Sequence, residues 1–231
     1  MEDALQQSFY CDHGHPDIQA LAAVLKAGED DPAAIAGRTF YCVRDRFVFG
    51  FDLYQRKASE ILKRGYGVCW NKSLLLVALL RCNQIPARFG SIPLKRAFVK
   101  PAIGAWYRLA NNPFNHCLVH AYLNGRWTIL DAPLDRKTYE SLFVPLGVEW
   151  GIDWNGKDDV RLYTESIVGP PVVHPDIDAA LNAKVGNDEL PKYLALIGNR
   201  HVNRRMWKRA GAHATVPIVP DTAGHGVPFR S

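Results

Sequence analysis

The sequence predicts an α+β domain, and three observations carry that reading. The run Lys72–Cys82 (KSLLLVALLRC) is too apolar on every side to be anything but a buried helix. Two alternating stretches, HCLVHAYL and RWTILDAP, flank Asn124-Gly125, a dipeptide that favours the two-residue turn of a β-hairpin, so the sheet is at least partly antiparallel. Helical spacing of apolar residues recurs before and after this middle third. With 231 residues, 48% of them hydrophobic and 22% charged, the chain has the material for a substantial core.

Taken in order, the first helix starts near His15, with Pro16 and Asp17 in its first turn and Gly28 beyond its end. A second helix is predicted from about Pro32 to Arg46, where Ile35, Thr39, Phe40 and Val43 fall at compatible spacing, and a shorter one covers ASEILKRG around Ile61. The apolar helix begins at Cys69 and ends near Asn83, ahead of Pro86. IPARFGSIPL alternates like a strand. Lys95 to Asn115, with weak periodicity, several prolines and glycines and the aromatic pair Trp106 and Tyr107, reads as a long loop.

A second Asn-Gly pair, Asn155-Gly156, suggests a further hairpin between VEWGIDW and KDDVRLYT. After Gly169-Pro170-Pro171 the pattern is helical again through HPDIDAALNAK and from about Glu189 to Arg209, and the last twenty or so residues read as irregular. The expected organisation is residues 1–168 as the main domain and 169–231 as a helical extension with an irregular tail, packed on the same domain.

Several functional classes are disfavoured. No stretch of about 18 apolar residues is present, and the opening residues lack the basic and apolar regions of a secretory signal. The expectation is a cytoplasmic protein. Five cysteines, an odd number, suit free thiols better than a disulfide framework. The net charge of +5 is concentrated late, in Lys192, Arg200, Arg204, Arg205, Lys208 and Arg209, but no nucleic-acid-binding module accompanies it, so a solvated helix face is expected. Cys11-Asp12-His13-Gly14-His15 offers soft ligands close together. It lacks return ligands at a defined spacing, and it reads as the polar approach to the first helix, so no metal and no cofactor are expected.

The chemistry begins with Cys69. A thiol at a helix N-terminus faces backbone N–H groups and the positive end of the helix dipole, which favour its thiolate and are placed to stabilise an oxyanion. The plain alternative is a small buried residue packing a helix start. The hairpin register adds to the case. With Asn124 and Gly125 as the turn, Leu123 faces Arg126, Leu118 faces Asp131 and His116 faces Pro133. Alternation then puts His116 and Asp131 on one face as diagonal neighbours, close enough for a carboxylate to orient an imidazole. Asp135 is the fallback carboxylate.

GYGVCWNKSLLLVALLRCNQIPARFG resembles the nucleophile segment of transglutaminase-like proteins, which carry a Tyr-Gly-x-Cys-Trp run, an apolar helix and an Ile-Pro-Ala-Arg-like start to the next strand. NHCLVHAYLNGRWTILDAPLD is similar to the same family's second segment, in which a histidine opens a strand, a hairpin ends in Gly-x-Trp and an aspartate follows. The resemblance covers about Ala33 to Asp135. It implies a papain-like fold with the nucleophile helix packed on an antiparallel sheet and Cys69, His116 and Asp131 at the matching positions.

Where many members of the family have an aromatic and an acidic residue two and four places after the histidine, this chain has Leu118 and His120. No tryptophan precedes Trp70 to match the upstream one of animal enzymes. The activity this implies is thioester-forming attack on a peptide, amide or acyl-thioester substrate, followed by hydrolysis. Transfer of the acyl group to an amine is the first alternative, and a non-catalytic binding protein on the same fold is the second.

Overall fold

A computed structural model describes residues 2–147, 151–161, 164–185 and 192–212. The chain opens with helices α1 (Pro16–Lys26) and α2 (Pro32–Arg46). Each starts as the sequence predicts, with proline in the first turn and a polar cap: His15 accepts from the Asp17 N–H, and Asp31 from that of Ala33. A short parallel pair, β1 (Val48–Phe49) and β2 (Tyr66–Gly67), brackets α3 (Ala58–Arg64), which Gly65 ends in the left-handed conformation at φ 71°.

Helix α4 (Cys69–Cys82) follows at once. Every residue from Trp70 to Arg81 is buried, as the all-round apolar pattern requires of a helix enclosed on all sides. Helices α1, α2 and α3 and the main sheet all pack on it.

Among the described residues that sheet has four strands in the order β5-β4-β3-β6, all antiparallel: β3 (Ala87–Leu94), β4 (Phe114–Leu123), β5 (Arg126–Leu130) and β6 (Val172–His174). The α+β class and the antiparallel sheet stand as read from the sequence. The β4–β5 hairpin has the expected register, Leu123 facing Arg126, and its turn places Asn124 at φ 51° and Gly125 at φ 81°, the left-handed region this turn demands.

Strand alternation divides the interior. Cys117, Val119 and Ala121 of β4 join α4 in one cluster, while Leu118 of β4 and Ile129 of β5 join a second. That second cluster is closed by α6 (Arg136–Leu142), through Tyr139 and Leu142, and by Met206 and Ala210 of α8 (Lys192–Ala210). Helix α7 (Ile177–Val185) packs Ile177 and Leu181 into the first.

Three expectations are corrected. Lys95–Asn115 is not a long loop: it coils through 3-10 turns at Arg96–Val99 and Gly104–Leu109 around the single helical turn α5 (Lys100–Ile103), and Phe114 already belongs to β4. Pro101 sits in the first turn of α5, where its missing N–H costs nothing, so a residue taken as a breaker starts a helix.

No hairpin forms around Asn155-Gly156 among the described residues. Asn155 Oδ1 accepts from the N–H groups of Lys157 and Asp158 at 2.9 and 2.8 Å, and the Trp154 indole donates to the Asp158 carbonyl at 2.7 Å, so the segment closes on itself. Val160 instead makes one parallel bridge to Leu130. Third, the stretch after Pro171 is not helical from the start: Val172–His174 pairs with Phe89–Ser91 before α7 begins. The irregular tail expected for the last twenty residues lies outside the described residues except at its very start, as do residues 189–191, the expected start of the last helix.

Candidate active site

Cys69 is the first residue of α4 and is partly exposed. The four residues after it are each fastened elsewhere. The Trp70 indole donates to the carbonyl of Asn115 at 3.0 Å, joining the helix start to the residue immediately before His116. Asn71 turns back, its Oδ1 accepting from the Val68 N–H at 3.1 Å, and its Nδ2 donates to the Leu53 carbonyl at 3.0 Å. Lys72 Nζ donates to the Arg44 carbonyl at the end of α2. Ser73 hydrogen-bonds Cys117 of β4, whose thiol also lies 3.0 Å from the Gly90 carbonyl. The first turn is thus tied to β4, to the loop after β1 and to α2, and the thiol at its head is fixed from several directions.

Gly67 allows this close entry. A Cβ there would lie 2.6 Å from that of Asn71.

His116 and Asp131 meet as the register implies. The ladder between β4 and β5 ends at Val119 and Leu130, so Asp131 stands one residue past the strand. His116 Nε2 lies 2.8 Å from Oδ1 and 3.0 Å from Oδ2 of Asp131, with both side chains buried. The Cys69 side chain hydrogen-bonds the same imidazole. Thiol, imidazole and carboxylate are therefore in one connected group.

Burial opposes a charge on His116, but the Asp131 carboxylate and Cys69 outweigh it and push its pKa up to about 10. The other four cysteines are all raised chiefly by burial, Cys11 to about 12 and Cys42 to about 11.

Asp135, the fallback carboxylate, is employed elsewhere. It caps α6, accepting from the Thr138 N–H at 2.9 Å and its hydroxyl at 2.8 Å, and it accepts from the Phe49 N–H at 2.8 Å. Sequence reasoning missed the fastening roles of Asn71 and Lys72. The signal available for Asn71 was its place three residues into the helix from Val68, where a side chain can turn back to the cap.

In the N-terminal cluster, Asp12 accepts from Ser59 through both its oxygens and His13 Nε2 lies 3.2 Å from the Leu5 carbonyl. Among the described residues no group of three or more potential ligands is placed to hold a metal ion, and no helix is long and apolar enough to cross a membrane.

A cysteine at the head of a buried helix, beside a histidine and an aspartate brought together by an antiparallel hairpin, defines a protein of the papain-like cysteine-enzyme fold. Residues 19–132, just under half of the chain, match the transglutaminase-like superfamily.

Solved structures similar to the chain include a candidate cysteine protease from Cytophaga hutchinsonii, at 23% identity and a TM-score of 0.44 over 56% of this chain. A candidate protease from Parabacteroides distasonis matches at 14% identity and 0.40 over 57%, and red sea bream transglutaminase at 15% and 0.41 over 92%. The chain spans only 40%, 25% and 43% of the lengths of these three. No curated protein matches the chain.

Proposed function

We propose that the chain is a cysteine-dependent acyl-transfer enzyme that hydrolyses an amide or peptide-type bond through a thioester, with Cys69 as nucleophile, His116 as general base and acid, and Asp131 as the group that orients His116. The single observation carrying this reading is the hydrogen-bonded chain from Asp131 through His116 to Cys69. With Nε2 of His116 held by the carboxylate, Nδ1 is the ring nitrogen left for the sulfur. An imidazole with an elevated pKa beside a helix-start thiol favours the imidazolium–thiolate pair.

In the reaction the Cys69 sulfur bonds to the substrate carbonyl carbon. The carbon–nitrogen bond breaks, and the amine departs with the proton from His116. Water then adds to the thioester, giving its proton to the imidazole, and the acid leaves as the sulfur recovers its proton. The Cys69 N–H, at the head of α4, is the natural donor to the oxyanion. Partial exposure of Cys69 favours water as the acceptor over a scheme that depends on its exclusion.

The test is mass spectrometry of the protein incubated with peptides and acyl thioesters. An acyl adduct on Cys69 that water discharges is expected. Absence of any adduct, together with iodoacetamide labelling of all five cysteines at one rate, would sink the reading. Discharge by an added amine in preference to water would replace hydrolysis with transamidation.

A further inference from the structure

A groove of about 730 Å³ lies between α8 and the loop that follows β1. Its walls carry the aromatic rings of Phe51, Tyr66 and Trp207, and Trp207 stands edge-on to Tyr66 at 5.2 Å between centroids. Along one side run Arg200, Arg204 and Lys208, all exposed. Among the described residues of the lining the one acid, Asp52, is buried and already paired with Arg56 and Arg64, so none of these residues offsets the three cations of α8.

The spacing of those cations is informative. Residues four apart on a helix advance about 6 Å along its axis. Alternate residues of an extended peptide advance about 6.6 Å, with their side chains on one face. Carboxylates at every second position of an extended segment therefore keep step with Arg200, Arg204 and Lys208, while the intervening side chains lie toward the aromatic walls. Asn199, also in the lining, offers an amide suited to peptide N–H and C=O groups.

The groove also reaches the candidate active site through a short path. Phe51 and Asp52 line it, and the next residue, Leu53, receives the Asn71 side chain two positions from Cys69.

From this juxtaposition we infer that the groove is a docking site for an extended acidic stretch of a polypeptide substrate, lying apart from the bond that reacts. The inference rests on the proposed acyl-transfer reading for the meaning of the docking, but the docking itself is measurable without it.

The experiment uses fluorescence anisotropy of a labelled peptide alternating Glu and Val, against a peptide of the same composition with its glutamates consecutive and against oligothymidylate. The protein variant carries Arg200→Gln, Arg204→Gln and Lys208→Gln, exposed positions filled by a good helix former. The alternating peptide is expected to bind tightest and to weaken as salt is raised. The triple variant is expected to lose about thirtyfold in affinity, about threefold for each cation removed.

Cys69 alkylation by iodoacetamide, followed in the same variant, should keep its wild-type rate; this reads the catalytic proposal separately. Equal binding of the two peptides, tighter binding of oligothymidylate, or unchanged affinity in a variant with wild-type circular dichroism overturns the inference.

Discussion

Lys72 Nζ, fully enclosed one turn into the helix that Cys69 begins, donates to the carbonyl oxygen of Arg44 at 3.0 Å. Burial disfavours its charge more than Asp135 and Asp45 restore it, and its pKa falls from 10.5 to about 8. Between those values the unfolded chain binds a proton that the folded chain does not, so this group makes stability rise with pH across that window. Lys72→Met should remove the rising component. It should change stability near neutral pH by no more than about 2 kcal/mol, since an apolar side chain of similar length replaces a costly buried charge. Urea unfolding at a series of pH values checks both expectations.

His116 works in the opposite sense. Its folded pKa of about 10 lies above the ordinary 6.5, so the stability it contributes is complete below 6.5 and is lost as pH rises toward 10. Between 6.5 and 8 the His116 slope acts without the Lys72 one, and from 8 to 10 the two oppose each other. In the Lys72→Met background the decline should therefore continue uninterrupted to about pH 10. Adding Asp131→Asn should flatten it below pH 9; above 9 the buried thiols of Cys11 and Cys42, held up near 12 and 11, bring a decline of their own. A decline that persists between 6.5 and 9 in that double variant would assign the slope to other groups.

Asp131 and Asp135 are separable by mutation. Asp131→Ala leaves His116 buried without its acceptor and should cost about 3–5 kcal/mol, with slowed alkylation of Cys69. Asp135→Ala removes a helix cap and the partner of the Phe49 N–H and should cost about 2–4 kcal/mol. Its alkylation rate, measured well below the denaturant midpoint, should stay within about twofold of wild type. A large rate loss there would give Asp135 a share of the chemistry.

Gly67→Ala tests the path into the nucleophile helix. The added carbon would press on Cβ of Asn71 at 2.6 Å, a contact between stiff parts of two chain segments with no flexible end to yield. A loss of about 1–3 kcal/mol is expected, with slower Cys69 alkylation as the capped first turn shifts. Unchanged values in both measurements would show that the loop before Cys69 relaxes without cost.

The same dipeptide explains both what the sequence revealed and where it misled. Asn124-Gly125 lies between strands whose alternate residues both have a core to enter, so the turn geometry and the burial pattern agree and the His116–Asp131 contact follows from counting. Around Asn155-Gly156 the Asn155 side chain captures nearby N–H groups, and Trp154 is buried beside Phe40, so local and tertiary contacts overrule the hairpin. Strand β6 was illegible because three residues after a Pro-Pro pair carry no period; its pairing with β3 defines it. The helix and the hairpin of the candidate site could be read because each announces itself locally. The bonds of Asn71 and Lys72 to distant carbonyls could not, since nothing in their neighbourhood names Leu53 or Arg44.

The hydrogen bonds from Asn203 to Phe51 have a temporal meaning. The Asn203 amide accepts from the Phe51 N–H at 2.6 Å and donates to its carbonyl at 2.8 Å, across 152 residues of chain. During synthesis, α4 and the β3–β4–β5 sheet leave the ribosome well before α8 exists. The loop after β1, whose Leu53 carbonyl holds the Asn71 side chain, must wait for partners not yet translated. A nascent chain would thus carry its thiol, imidazole and carboxylate before the segment leading to the thiol is secured, and reactivity would ripen only as the last helix docks.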